Sequence, residues 1–388
     1  MAAEHRREAL LRYIAEDGST GYMIAAWRLA TALREAGVEL EFLGWTLTHV
    51  LGAGETVAHS RGGAFAGSWS APGTPTVMHL VPEHLPMVRQ TTTGPIVVHT
   101  VWETDRLPQR WPALLNSSEG VIVPTEWNRE LFAASGVSAQ IEVVPHVACE
   151  PLRGDSGEPL AIPDDIVVFY MISRWDERKV PALAVQAFLE AFTADDPVAL
   201  VVKTGAIAEV RPPDLWGSGS SRFMTTDWQI ARLLRNHPRP PRIHLIVDEW
   251  DDSRIAGLHT RGDCFLAITH GEGWGVGAAD ACIYGNPVIA TGWSGHLDYL
   301  AGSDTLVDYD LVAVSHLAGG SYEPGQMWAQ PHVEHAVELM RRVAADPAAA
   351  RAAAEPLRES AAARFSGPVV AERFLAAMAR LGVLGASS

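Results

Sequence analysis

Lysine is nearly missing from this chain. Of its 30 basic residues only Lys179 and Lys203 are lysines, and the remainder are arginines. A chain that uses arginine almost everywhere but retains lysine at a loop position points to a need for a compact ammonium there, as phosphate sites often have. Positive charge is scarce overall: 30 Lys and Arg against 46 Asp and Glu leave a net charge of −16. That balance disfavours broad nucleic-acid binding and electrostatic attachment to an anionic membrane. Cysteine is rare too. Cys149, Cys264 and Cys282 are scattered and form no CxxC, so neither a disulfide framework nor a zinc ribbon is indicated. No run reaches the roughly 18 to 20 apolar residues that a membrane span requires. The opening MAAEHRREALLRYIAED carries charge throughout and develops no signal-peptide core, which predicts a cytoplasmic protein. The chain contains no HExxH, no GxSxG and no phosphate-binding P-loop.

What is present is a βα rhythm, repeated twice. At 388 residues and 47% hydrophobic content the chain suits two domains of ordinary size. In the first half, strand-like runs at 10–15, 38–45, 75–80, 94–100, 119–125 and 141–147 alternate with helical spacing such as Tyr22–Glu35. Residues 148–165, rich in Pro, Gly and acid, read as the linker. The second half resumes with strands at 166–172, 198–203, 243–247, 264–269 and 287–291 and a helix over 181–192. An Ala-rich stretch from Ala344 to Ala363 predicts one or two surface helices, and a last helix is expected over about Pro368 to Leu381. The expected organisation is a first Rossmann-like domain over 1–150, a second over 165–365, and a terminal segment over 366–388. Ligands of such sheets bind beyond the carboxyl ends of the strands.

The most informative segment is His-Gly-Glu-Gly-Trp-Gly-Val-Gly-Ala-Ala-Asp, residues 270–280. Gly271, Gly273, Gly275 and Gly277 keep side chains away where a backbone must approach a ligand. A loop of amides feeding a helix start attracts anions, phosphate first among them. Glu272 and Asp280 would repel a phosphate but accept hydrogen bonds from sugar hydroxyls. Phosphate plus polyol suggests a nucleotide sugar. Gly285 is placed to stop the helix in a left-handed cap before Pro287. Upstream, Arg174 and Lys179 bracket the turn after strand 166–172, where two cations could neutralise a departing diphosphate.

This pattern resembles the signature of glycosyltransferase family 4, in which a Glu, seven residues and a second acid flank EGFG. Here Glu272 is the first acid, Trp274 takes the aromatic position, and Asp280, one methylene shorter, replaces the second Glu. The segments ETDRLPQRW, VIVPTEWNRELFAASGV, VVPHV, RWDERK and YGNPVIATGWSGHLDYL follow the order that family members use. The resemblance implies an α/β, GT-B fold: two Rossmann-like, doubly wound domains facing a central cleft, with the last helix crossing back to the first domain. It implies a retaining glycosyltransferase, a hexosyltransferase in type, that moves a sugar from a nucleotide-diphosphate sugar to an acceptor hydroxyl. Neither cofactor nor metal is expected, and nucleic acid and transmembrane partners are not.

Residue by residue, the resemblance carries diphosphate contacts to Arg174, Lys179 and the amides around Gly273, Trp274 and Gly275. It gives Glu272 the donor-sugar hydroxyls, Asp280 the ribose, and His99, at the end of strand 94–100, a place near the reacting carbon. The turn Asp17-Gly18-Ser19-Thr20-Gly21 would close over the phosphates, through Gly18 and Gly21. That turn is not GxGxxG, which argues against a dinucleotide enzyme. Glu103 and Asp105 are candidates for acceptor hydroxyls. The Asp308-Tyr309-Asp310 triplet forms a DxD without supporting ligands, and His332 and His335 read as surface residues. Rival readings are a sugar phosphorylase or disaccharide synthase on the same fold, and a non-catalytic nucleotide-sugar-binding protein. UDP and GDP stay open, because the base is read by backbone near Asp248–Asp252, and acceptor choice falls to loop 45–75.

Overall fold

The computed structural model describes residues 7–8, 10–16, 20–45, 68–149, 161–208, 224–314 and 321–384. Gly18, most of loop 45–75 and residues 150–160 of the linker lie outside them. The chain divides into two compact units. The first comprises residues 1–102, 106–148 and 363–388; the second comprises 103–105 and 149–362.

The first unit is built on six parallel strands: β1 (Leu11–Glu16), β2 (Leu40–Trp45), β3 (Thr76–His79), β4 (Ile96–His99), β5 (Gly120–Val123) and β6 (Ile141–Val143). Their spatial order is β2-β1-β3-β4-β5-β6, every pairing parallel. Strands β3, β4 and β5 are buried at every position, which is why they read as apolar runs and not as alternations. Helix α1 (Gly21–Glu35) begins at Thr20, whose hydroxyl accepts the Met23 amide at 3.2 Å. Helix α2 (Glu126–Ala134) is capped the same way by Thr125. The core of this unit runs from Leu11, Tyr13 and Leu29 through Val97 and Ile122 to Val370, Phe374 and Met378, contributed by the last helix.

The second unit repeats the plan with a different winding. Its strands are β7 (Val167–Ile172), β8 (Val198–Lys203), β9 (Arg242–Ile246), β10 (Cys264–Ala267), β11 (Val288–Thr291) and β12 (Leu306–Val307), in the order β9-β8-β7-β10-β11-β12. This is the 3-2-1-4-5-6 sequence of a dinucleotide-fold sheet, with its topological switch point between β7 and β10. Helix α3 (Pro181–Ala191) starts at a proline, and α4 (Thr226–Leu234) and α5 (Asp252–Arg261) follow β8 and β9. Helix α6 (Val276–Ile283) stops at Tyr284, and Gly285 takes φ +75°, the left-handed cap expected of it.

Two details differ from the sequence reading, an unexpected hairpin and the placement of residues 103–105, and a third sharpens it. An antiparallel hairpin, β13 (Tyr309–Ala313) and β14 (Met327–Pro331), stands where no strand was expected, and it takes up the DxD triplet. The helices of the Ala-rich region break at Asp346. Helix α7 covers Val333–Ala345 and α8 covers Pro347–Phe365, because Pro347 cannot supply the amide that would continue α7. Residues 103–105 are stitched into the second unit by Asp105, whose amide donates to the Met327 carbonyl at 2.9 Å while its carboxylate accepts the Met327 amide at 2.6 Å.

Helix α9 (Gly367–Arg380) completes the first unit's core with the fully buried Phe374 and Met378. Gly120 at the start of β5 leaves room for the Leu381 side chain, which a β-carbon there would strike. Phe374→Ala should destabilise the first unit by about 3–5 kcal/mol, the usual cost of a large buried aromatic. Urea unfolding followed by tryptophan fluorescence, with Phe374→Leu as the milder comparison, measures it.

Candidate functional site

In the second unit, the loops after β7 and β10 flank the sheet's switch point, and they hold the residues of interest. After β7, Asp176 organises the turn. Its Oδ1 accepts the Lys179 amide at 2.7 Å, its carbonyl accepts the Val180 amide at 3.0 Å, and its Oδ2 pairs with Arg174 at 3.1 Å. The turn then delivers two cations to one carboxylate. Lys179 Nζ lies 2.6 and 2.7 Å from the two oxygens of Glu272. Arg178 Nη1 lies 3.2 Å from Glu272 Oε2 and donates to the Gly271 carbonyl at 2.7 Å. The other arm of Arg178 reaches Glu103 at 3.6 Å.

Burial alone would raise the Glu272 carboxyl, but the Lys179 ammonium and the Arg178 guanidinium outweigh it and hold the group down at about 2. The opposite balance governs Glu103, where burial is the larger influence and pushes its carboxyl upward despite Arg178. Lys179 is itself pulled below its ordinary value by burial.

The glycine-rich loop is held from behind. The Glu272 amide donates to Ser294 Oγ at 2.9 Å, and its carbonyl accepts the Gly295 amide at 2.8 Å. Tyr299 Oη lies 2.7 Å from the Trp274 carbonyl and 3.0 Å from that of Gly275. His270 and Ala329 exchange backbone and ring hydrogen bonds, which fastens the loop to β14. Gly275 adopts φ +84° at the start of α6, and no side chain caps that helix.

Three of the four glycines do different work. Gly275 serves the turn, whereas Gly271 makes room for the Glu103 carbonyl and Gly277 lies against the Phe265 ring, where a β-carbon would come within 2.9 Å of it. Trp274 is buried against Tyr299, ring centroids 5.1 Å apart, so the surface it leaves to a ligand is its backbone. Asp280 is buried on α6, and its Oδ1 accepts the Cys149 amide at 2.8 Å.

Strain marks the same place. Among the described residues only Val180 and Ser294 combine a side chain with positive φ, at 36° and 80°, and they adjoin Lys179 and Glu272 respectively. Such backbone persists where surrounding contacts over-determine it, and it concentrates at functional sites.

The other expected residues fall elsewhere. Arg174 is largely exposed and pairs with Asp176, so the second cation on Glu272 is Arg178, which sequence reasoning passed over inside RWDERK. The signal was available: Arg178 and Lys179 are adjacent, and a charged pair just before Pro181 opens the helix. Asp105 is taken up by the Met327 amide. In the first unit, Gly21 opens α1 with nothing within 4 Å of the place a β-carbon would occupy. His99 is fully buried there, its ring stacked on His79 at 3.9 Å. His332 and His335 lie 3.0 and 3.2 Å from Asp310 and Asp308, which engages both DxD carboxylates with neighbouring side chains.

No protein-family model and no curated sequence matches the chain. Solved structures do match. The chain is similar to a sucrose-phosphate synthase from Thermosynechococcus elongatus, at 15% identity and TM-score 0.67, covering 97% of this chain and 99% of that one. It is similar to the trehalose 6-phosphate synthase of Burkholderia multivorans, at 12% identity and TM-score 0.61, over 97% and 99%. A third is the Anabaena protein HepE in complex with UDP-glucose, at 13% identity and TM-score 0.60, over 95% and 99%. The fold is GT-B: two Rossmann-like α/β units, each on a six-stranded parallel sheet. No helix among the described residues is long and apolar enough to cross a membrane.

Because the Glu272 carboxyl is held at about 2 against an ordinary 4.5, its stabilising effect is complete above pH 4.5 and is lost as pH falls toward 2. Lys179→Met should cost stability near the low end of the about 3–5 kcal/mol of a broken buried pair, since Arg178 remains. The gap between variant and wild type in urea denaturation should narrow as pH falls through that window. Val180→Gly, which relieves φ 36°, should instead stabilise by about 1 kcal/mol in the same assay.

Proposed function

We propose that this chain is a retaining glycosyltransferase that moves a sugar, hexosyl in type, from a nucleotide-diphosphate sugar to an acceptor hydroxyl. The observation that carries the reading is the buried Glu272 carboxylate, gripped by Lys179 and Arg178, beside an uncapped helix start at the switch point of a dinucleotide-fold sheet. The GT-B fold, with a UDP-glucose complex among its solved neighbours, supports it.

Each residue type suits its part. A donor diphosphate entering at the amides of Gly273–Gly275 competes for Lys179, whose ammonium can swing on its flexible stem from Glu272 to phosphate. Arg174, largely exposed, is the second cation for the leaving group. Arg178 stays behind, so Glu272 remains ionised and accepts hydrogen bonds from sugar hydroxyls. Asp280 takes the ribose through its carboxylate, and His99 contributes its backbone carbonyl near the reacting carbon. Among the described residues no side chain stands out as a covalent nucleophile, which favours front-face substitution. The acceptor oxygen attacks the anomeric carbon from the side the diphosphate vacates and gives its proton to that phosphate. Glu103 is the candidate for holding the acceptor, and no cofactor enters the scheme.

Thermal melting against a panel of nucleotides and nucleotide sugars tests the donor, since a ligand bound only by the folded state raises the midpoint with its affinity. One nucleoside diphosphate and its sugar should raise it, and Lys179→Ala should abolish the rise. With an accepted hydroxyl compound, Glu272→Ala should lower turnover by roughly 10² to 10³, the usual cost of removing one preorganised polar contact. The product should keep the donor's anomeric configuration by NMR. Turnover within a few-fold of wild type would remove Glu272 from the mechanism. A donor that shifts the melt but releases no diphosphate with any acceptor would make the protein a binder.

A further inference from the structure

The first unit gathers three histidines that the sugar-transfer reading does not use as a group. His79 ends β3 and His99 ends β4, and the pairing of Met78 with Val98 places the two residues opposite each other across neighbouring strands. Their rings stack at 3.9 Å and 13°. His146, just beyond β6, brings its ring centroid to 5.6 Å from His79 and 5.4 Å from His99. The three are 1%, 0% and 5% exposed. One ligating nitrogen from each lies within 4.8 Å of the others, the only such grouping of three among the described residues.

Buried imidazole nitrogens ordinarily find hydrogen-bond partners. Here His79 Nε2 and His99 Nε2 have none. Tyr13 Oη stands at the other edge of both rings, 2.8 Å from His79 Nδ1 and 3.5 Å from His99 Nδ1. With the Nδ1 proton of His79 given to Tyr13, the lone pair sits on Nε2, the arrangement by which an outer partner orients a metal-binding histidine.

We infer that His79, His99 and His146 form a site for a divalent ion of the zinc class, bound through three imidazole nitrogens with a fourth position open to water. Three neutral nitrogens and no thiolate suit zinc, cobalt, nickel or copper and do not suit magnesium or calcium. Bonds of about 2.0–2.1 Å in tetrahedral geometry need nitrogens about 3.3 Å apart, so the stacked pair must splay and His146 must turn inward. The inference concerns the first unit alone and stands apart from the sugar-transfer reading, including the role given to the His99 backbone.

The test is metal titration of the full chain after chelator treatment, by calorimetry with Zn²⁺ and by the visible spectrum of Co²⁺. One equivalent should bind per chain, Co²⁺ should show an intense tetrahedral spectrum, and Zn²⁺ should raise the melting midpoint. His146→Gln and His79→Gln should abolish all three. Tyr13→Phe, which keeps the ring and removes only the outer partner, should weaken binding roughly 10-fold to 100-fold. The double variant His332→Gln, His335→Gln should leave the equivalent in place, since that half-buried pair lies in the second unit, apart from the cluster. No bound ion and no Zn²⁺-dependent rise in the wild-type midpoint would overturn the site, whether or not the histidine variants fold. Binding that survives Tyr13→Phe and is lost in the His332, His335 double variant would overturn it equally.

Discussion

A buried carboxylate must be compensated, and much of the second unit's loop structure follows from compensating Glu272. Its charge is met by Lys179 and Arg178, which arrive on adjacent positions of one turn. Adjacent residues at a strand-to-helix turn point apart unless the backbone bends sharply between them and the helix. That bend is the left-handed Val180, fixed from one side by Asp176 and from the other by the proline that opens α3. The Glu272 backbone is satisfied separately, by Ser294 and Gly295 from the loop after β11. Gly271 and Gly295 are required because neighbouring carbonyls occupy the space of a β-carbon.

The scarcity of lysine takes on meaning beside this geometry. Arg178 is a fixed fork whose donors are divided among Glu272, Glu103 and the Gly271 carbonyl, and its planar guanidinium suits a permanent crossing of that kind. Lys179 gives both of its ammonium hydrogen bonds to Glu272. A point charge on a long stem can leave one anion for another without dismantling the rest. Two cations side by side thus divide between holding and responding, and an arginine at position 179 would blur that division.

The βα rhythm was legible because fully buried parallel strands are written as apolar runs, and twelve strands of the two sheets include the eleven expected from such runs. The helix stop at Gly285 was legible because a left-handed cap favours one residue type. The hairpin β13–β14 was not, since its exposed, mixed strand Tyr309–Ala313 lacks either period and pairs with a partner far along the chain. Within the site, Glu272, Asp280 and Lys179 could be picked out by residue type and spacing, but the pairing of Arg178 with the Glu272 carboxylate could not. Which of two arginines four positions apart faces inward depends on Asp176 tying up the first, a contact that no one-dimensional spacing encodes. The histidine cluster was invisible for the same reason: His79, His99 and His146 share no spacing, only the carboxyl edge of one sheet.

The first unit is assembled from both ends of the chain, with the second unit's sequence lying between. On the ribosome, residues 1–148 are made before the second unit, but the helix carrying Val370, Phe374 and Met378 is made only after it. The usual order of synthesis, in which the amino-terminal domain folds before the next is made, is therefore reversed for completion of the core. The second unit can finish folding while the first still waits with an open apolar face. Synthesis of this helix is thus the step that closes the first unit's core, long after its sheet has been made.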